Sequence, residues 1–165
     1  MVFDMAQNEQ KFTIRICDAK FAQDVILEIG KFCVLWSIFE NDKCDNDCNI
    51  EKLLSLENSI SDIDPDKITR LAISLQGRVD MSLRGEELVG YIVEPEKAKR
   101  KMPAEKRTKM GQFLASDGQE SLAGCLIAIY RIRNNMFHGL KRLESLNSQI
   151  ELFRAMNGVL EELIR

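Results

Sequence analysis

Apolar residues recur along this chain at steps of three and four over most of its length. Between about residues 19 and 40, Phe21, Val25, Ile29, Phe32, Trp36 and Phe39 fall on one helical face, because that spacing follows 3.6 residues per turn. The aromatic stripe reads as core. The polar, acidic stretch 41–49 ends this helix. A short helix over 49–60 offers Leu53, Leu54 and Leu56, and residues 61–64 break it. Asp64 and Pro65 then open another helix. Asp64 suits the N-cap, and Pro65 suits the first helical position, where a missing N–H costs nothing. Ile68, Leu71, Ala72, Leu75 and Val79 make its buried face.

Gly85, Gly90 and Pro95 interrupt the pattern beyond this helix, and 86–93 reads as a helix end or a brief extended piece. Ser116 or Asp117 caps the next helix, which runs to about Phe137. Leu122, Leu126, Ile129 and Met136 lie near one side of it, and Ala123, Ile127, Tyr130 and Phe137 near another. A helix apolar over so much of its surface belongs at the centre of a bundle. Gly139 suits the position just past its end and places His138 at the C-terminus. A last helix over about 142–164 carries Leu146, Ile150, Phe153, Leu160 and Ile164, with Asn157-Gly158 as a weak point. Residues 12–16 alternate like a strand but have no evident partner, so 1–17 is expected to be an irregular lead-in or an early extension of the first helix. The pattern predicts an all-α fold: an up-and-down bundle of four to five main helices, in one domain spanning 1–165.

Composition supports this reading. A chain of 165 residues can bury a sizeable core, and three prolines with nine glycines leave room for long helices. No apolar run approaches the roughly 18 residues of a membrane span. The N-terminus lacks the basic and apolar regions of a signal peptide, so a cytoplasmic protein without a membrane partner is expected. Five cysteines do not form the pattern of a disulfide framework in a chain of this size. Cys44 and Cys48 make a C-x3-C, but zinc needs two more ligands and the lone histidine is far off in sequence. Free thiols in a reducing cytosol are the expectation, with no metal and no cofactor.

Charge is unevenly spread. Residues 1–66 hold 6 basic and 14 acidic side chains, residues 67–142 hold 15 and 8, and residues 143–165 hold 2 and 4. The basic middle points to an anionic partner, although a chain of net charge −3 is no bulk nucleic-acid binder. Within it, Lys97, Lys99, Arg100, Lys101, Lys106, Arg107 and Lys109 crowd into thirteen residues. This run reads as a solvated loop or as a loop that contacts phosphates. No aromatic is interleaved, so base stacking there is not supported.

The candidate chemistry lies in Tyr130–Gly139, which holds the only histidine. A histidine at a helix C-terminus is an ordinary cap, since its charged form suits the negative end of the dipole. The surrounding pattern is more specific: Arg133, Asn134, a large apolar residue, His138 and Gly139, at the end of a nearly all-apolar helix. The run RNNMFHG at 133–139 resembles the signature of the HEPN family, R-x4-6-H with a polar residue usually following the arginine. Arg133, Asn134 and His138 match the R-x4-H form, and Arg131 satisfies R-x6-H. The motif covers about seven residues, and helical architecture extends the resemblance loosely over the rest.

The resemblance implies a bundle that dimerises and brings two motifs into one cleft. Many members are metal-independent endoribonucleases of toxin–antitoxin, abortive-infection and CRISPR systems, while others bind RNA or partners without catalysis. The expectation is therefore an RNA-cleaving homodimer with an antitoxin protein as a further partner. The alternative is a non-catalytic module that binds RNA, a nucleotide or a protein. Residue chemistry fits the first: a histidine moves protons near neutral pH, and an arginine meets phosphate with two parallel hydrogen bonds. On an ideal helix Arg133 and His138 stand about 140° apart, while Arg131, Asn134 and His138 share a face. Either arginine therefore remains a candidate for the phosphate contact. Asn134, one turn before His138, is suited to orient its ring or to hold the helix end.

Overall fold

A computed structural model of the chain describes residues 13–16, 19–60, 63–76, 113, 122–137 and 143–165. Among these the fold is an all-α helical bundle of five helices. They are α1 (Gln23–Cys44), α2 (Ile50–Leu56), α3 (Pro65–Gln76), α4 (Leu122–Phe137) and α5 (Ile150–Leu163). A hairpin of β1 (Thr13–Ile16) and β2 (Ala19–Ala22) precedes them, and a 3-10 segment (Leu143–Gln149) leads into α5. The expected start of the helix at 116–121, Val79, residues 86–93, the basic run 97–109, His138 and Gly139 lie outside the described residues.

The core follows the apolar stripes. Val25, Phe32, Leu35, Trp36 and Phe39 of α1 are buried, as are Ile68, Leu71, Ala72 and Leu75 of α3. Residues 122–129 of α4 are buried without exception, the mark of a helix enclosed on all sides. The buried face of α5 holds Leu152, Phe153, Met156, Val159, Leu160 and Leu163, broader than the stripe read from sequence. Asp64 accepts from the Asp66 amide at 2.9 Å and opens α3 at Pro65, as its residue types require. Among the described residues, no helix is long and apolar enough to cross a membrane.

The N-terminal expectation is corrected. Residues 13–16 do have a partner: β1 pairs antiparallel with β2 in the register Thr13↔Ala22, Ile14↔Phe21, Arg15↔Lys20. Phe21 stands four residues before Val25, a helical step, yet it reaches the core from a strand. The helix accordingly begins at Gln23. The second edge of β2 is satisfied by a side chain. Asn147 donates to the Lys20 carbonyl at 2.8 Å and accepts from the Ala22 amide at 3.2 Å, as a neighbouring strand would. Asn147 lies in the 3-10 segment 143–149, and the last α-helix starts at Ile150 rather than near Arg142.

The turn after α1 also departs from expectation. The helix continues to Cys44, and Asp45 and Asn46 then take left-handed conformations (φ 50° and 59°). Asp and Asn tolerate that region better than most residues. The amides of both donate back to the Glu40 carbonyl. This reversal sets the Cα atoms of Cys44 and Cys48 5.0 Å apart, and the two are joined in a disulfide instead of standing as free thiols. Lys52 donates to the Cys44 carbonyl at 2.8 Å, and the Asn49 side chain caps α2 by accepting from the Lys52 amide at 3.0 Å.

α1 and α5 form the principal seam. Phe32 meets Phe153 edge to face with centroids 5.7 Å apart, and Lys31 pairs with Glu161 at 2.7 Å. Between these lies Asn157, 1% exposed, whose amide donates to the Glu28 carbonyl at 3.0 Å and to its carboxylate at 2.8 Å. Asn157-Gly158 does not break the helix, because Asn157 spends its side chain on α1. Lys67 of α3 pairs with Glu162 of α5 on the other flank.

The seam and the turn can each be tested directly. Asn157→Ala should lower unfolding free energy by about 2–3 kcal/mol through two lost hydrogen bonds and a small cavity. Asn157→Asp should cost more, since it sets a buried carboxylate beside Glu28; urea denaturation of both variants is the check. Tryptic digestion without reductant, after alkylation of free thiols, should release peptide 44–52 unalkylated and lighter by two hydrogens. Alkylation at both cysteines would contradict the disulfide.

Candidate functional site

The polar end of α4 begins where its burial ends. From Tyr130 onward the helix shows partly exposed positions, with only Ile132 among 130–134 still buried. Arg131, Arg133 and Asn134 stand on this stretch; His138 comes after it in sequence. The structure places the first three and describes what holds each.

Arg133 turns toward the last turns of α1. Its guanidinium lies over the Trp36 ring, 5.8 Å from the centroid, within the range of cation–π attraction. One terminal nitrogen is 3.6 Å from Glu40 Oε2, and the other donates to Asn134 Oδ1 at 3.0 Å. Glu40 Oε2 in turn accepts from the Trp36 indole N–H at 3.0 Å. Trp36 and Glu40 are one helical turn apart, so both face the same side of α1. With the Glu40 side chain 21% exposed and that of Arg133 32%, the ion pair is partly screened; such contacts contribute about 0.5–1 kcal/mol each. Their effect is on direction: the guanidinium is held from three sides.

Arg131 is placed differently. It lies over the ring of Tyr130 at 6.0 Å, and Tyr130 in turn packs on Trp36 with centroids 6.1 Å apart. The two candidate arginines thus each lie over one member of a single aromatic pair, Arg131 over Tyr130 and Arg133 over Trp36. Of the residues expected to cooperate, Arg133 and Asn134 are brought into direct contact. Asn134 commits its oxygen to Arg133. The basic run of Lys97, Lys99, Arg100, Lys101, Lys106, Arg107 and Lys109 lies outside the described residues, as does His138.

Glu40 and Trp36 were not among the sequence candidates. Trp36 looked like one more member of the aromatic stripe, and Glu40 like the residue where the first helix stops. Their i, i+4 spacing, an indole donor followed by a carboxylate at the polar end of an apolar stripe, was the available signal. One thiol of α1 feels the charge of Arg133. Burial pushes the Cys33 thiol up, and the Arg133 guanidinium opposes that shift. Burial likewise pushes up Cys125, which is fully enclosed in α4. No group of three or more His, Cys, Asp or Glu side chains suited to a metal ion is found among the described residues.

Comparison of the chain with protein families, with curated proteins and with solved structures finds no match. The local geometry is testable without reference to function. Arg133→Met keeps most of the stem's packing but removes the charge that favours the Cys33 thiolate. The Cys33 pKa should then rise further, and its alkylation by iodoacetamide at about pH 8.5 should slow, because only the thiolate reacts. Peptide-resolved mass spectrometry isolates Cys33 from the other cysteines; an unchanged rate would place Arg133 elsewhere.

Proposed function

We propose that the chain is a metal-independent endoribonuclease of HEPN type, a toxin or defence component that cleaves RNA at a composite site shared by two copies. The observation that supports this reading most is the pair Arg133-Asn134 at the exit of a helix otherwise enclosed in an all-α bundle, with His138 following in the sequence. Polar groups at such an exit must find partners or face a cleft, and these residue types match those needed to cut RNA.

In the proposed reaction a ribose 2′-oxygen attacks the adjacent phosphorus as its proton is removed. The bond to the leaving 5′-oxygen breaks, and that oxygen takes up a proton. The products are a 2′,3′-cyclic phosphate, open to later hydrolysis to a 3′-phosphate, and a 5′-hydroxyl. Histidine suits both proton transfers near neutral pH. One chain supplies a single histidine, so a homodimer brings His138 twice, once as base and once as acid. Arg133 offers a planar cation to the phosphate as charge builds on its oxygens. Lys97, Lys99, Arg100, Lys101, Lys106, Arg107 and Lys109 supply sequence-independent attraction for the RNA backbone. An antitoxin protein would complete the pair by covering this basic site. The reading places the protein in the cytoplasm, a reducing compartment in which the Cys44–Cys48 disulfide is open to reduction.

A second reading has one specific observation in its favour. Arg133 is already engaged by Glu40 and Trp36 of its own chain, which suits an arginine retained for architecture in a non-catalytic module that binds RNA, a nucleotide or a protein. The two readings part on catalysis. Purified protein should cleave RNA in excess EDTA and leave cyclic or 3′-phosphate ends. His138→Ala should lower the rate by about 100-fold or more with an unchanged circular dichroism spectrum. RNA bound but left intact by the wild type would favour the module, and cleavage undiminished in His138→Ala would sink the catalytic reading.

A further inference from the structure

The strongest unassigned feature is the pair that grips Arg133. Glu40 sits at a junction. Its carbonyl accepts the amides of Asp45 and Asn46, which form the turn closed by the Cys44–Cys48 disulfide. Its carboxylate accepts the Trp36 indole and faces the Arg133 guanidinium. The backbone end is therefore fixed by the turn, and the carboxylate is oriented by the indole.

We propose that Glu40 and Trp36 are positioning residues that hold the Arg133 guanidinium in place for an RNA phosphate. This inference rests on the ribonuclease reading for its catalytic consequence, but the placement itself has a separate readout. Trp36 supplies the flat apolar floor, at 5.8 Å from the guanidinium. Glu40 draws one terminal nitrogen toward the end of α1 across 3.6 Å, and Asn134 braces the other terminal nitrogen at 3.0 Å. Preorganised donors stabilise developing charge because no reorientation is needed during the reaction. Glu40 also opposes RNA binding, since its own charge repels phosphate.

The two roles of Glu40 act in opposite directions, and this separates positioning from mere packing. Glu40→Gln retains an oxygen for the indole N–H and removes the charge. Ground-state RNA binding should tighten, with KM falling about threefold, because one repulsive charge is gone. The kcat should fall about tenfold, because the guanidinium loses its fixed direction. A structural role alone would leave both constants unchanged or would raise KM as the site loosens, and either result overturns the proposal.

Trp36 is the chain's only tryptophan, so its emission reports on the guanidinium above it. A short 2′-O-methyl oligoribonucleotide, which binds without being cut, should change Trp36 emission in the wild type and leave it unchanged in Arg133→Ala. An unchanged wild-type signal, or an equal change in Arg133→Ala, overturns the placement of phosphate at Arg133. If emission responds as expected while unmodified RNA is never cleaved, the ribonuclease reading fails and the positioned phosphate contact survives.

Discussion

A helix enclosed on every side can present polar chemistry only where it leaves the core. α4 is such a helix: residues 122–129 are all buried, and partly exposed positions begin at Tyr130. Burying an unpartnered polar group costs about 1–3 kcal/mol, so the enclosed turns admit apolar side chains, Gly124 and the inert thiol of Cys125. Arg131, Arg133 and Asn134 come at once when enclosure ends. The position of the candidate site is thus a consequence of how the core is filled.

α1 is the element that meets the polar side chains at this exit. Near its start it is stitched to α5 through Glu28, Asn157 and the Phe32–Phe153 contact. Near its end it meets α4 through Trp36 and Glu40. Its last turn is then reversed by two left-handed residues and tied by the Cys44–Cys48 bond. The same residue, Glu40, therefore connects the backbone of a covalently closed turn to the side chain of the arginine. A disturbance of that turn has a short physical route to Arg133.

Much of this fold was legible in the order of apolar residues. The stripes of α1 and α3 and the enclosure of α4 reflect their spacing directly, and Asp64-Pro65 marks the start of α3 by its own chemistry. The rest depended on contacts between residues distant in sequence. Asn147 replaces a strand beside β2 from 125 residues away, and nothing near residues 12–22 announces it. Phe21 fits a helical step as well as a strand. Cys44 and Cys48 could be paired only once Asp45 and Asn46 were known to turn left-handed. At the candidate site, Arg133 and Asn134 are adjacent in sequence, so their contact is local. Glu40 and Trp36 were not legible, because they act across a helix pair and look locally like the end of an ordinary stripe.

The proposed reaction is cleavage of RNA through attack by its own 2′-hydroxyl. The most direct measurement compares two oligoribonucleotides in EDTA, one unmodified and one carrying a single 2′-O-methyl group at the position where the first is cut. The unmodified strand should be cleaved to a cyclic or 3′-phosphate end, and the methylated strand should stay intact at that position. An unmodified strand left whole, or equal cleavage of both strands, would contradict the claim.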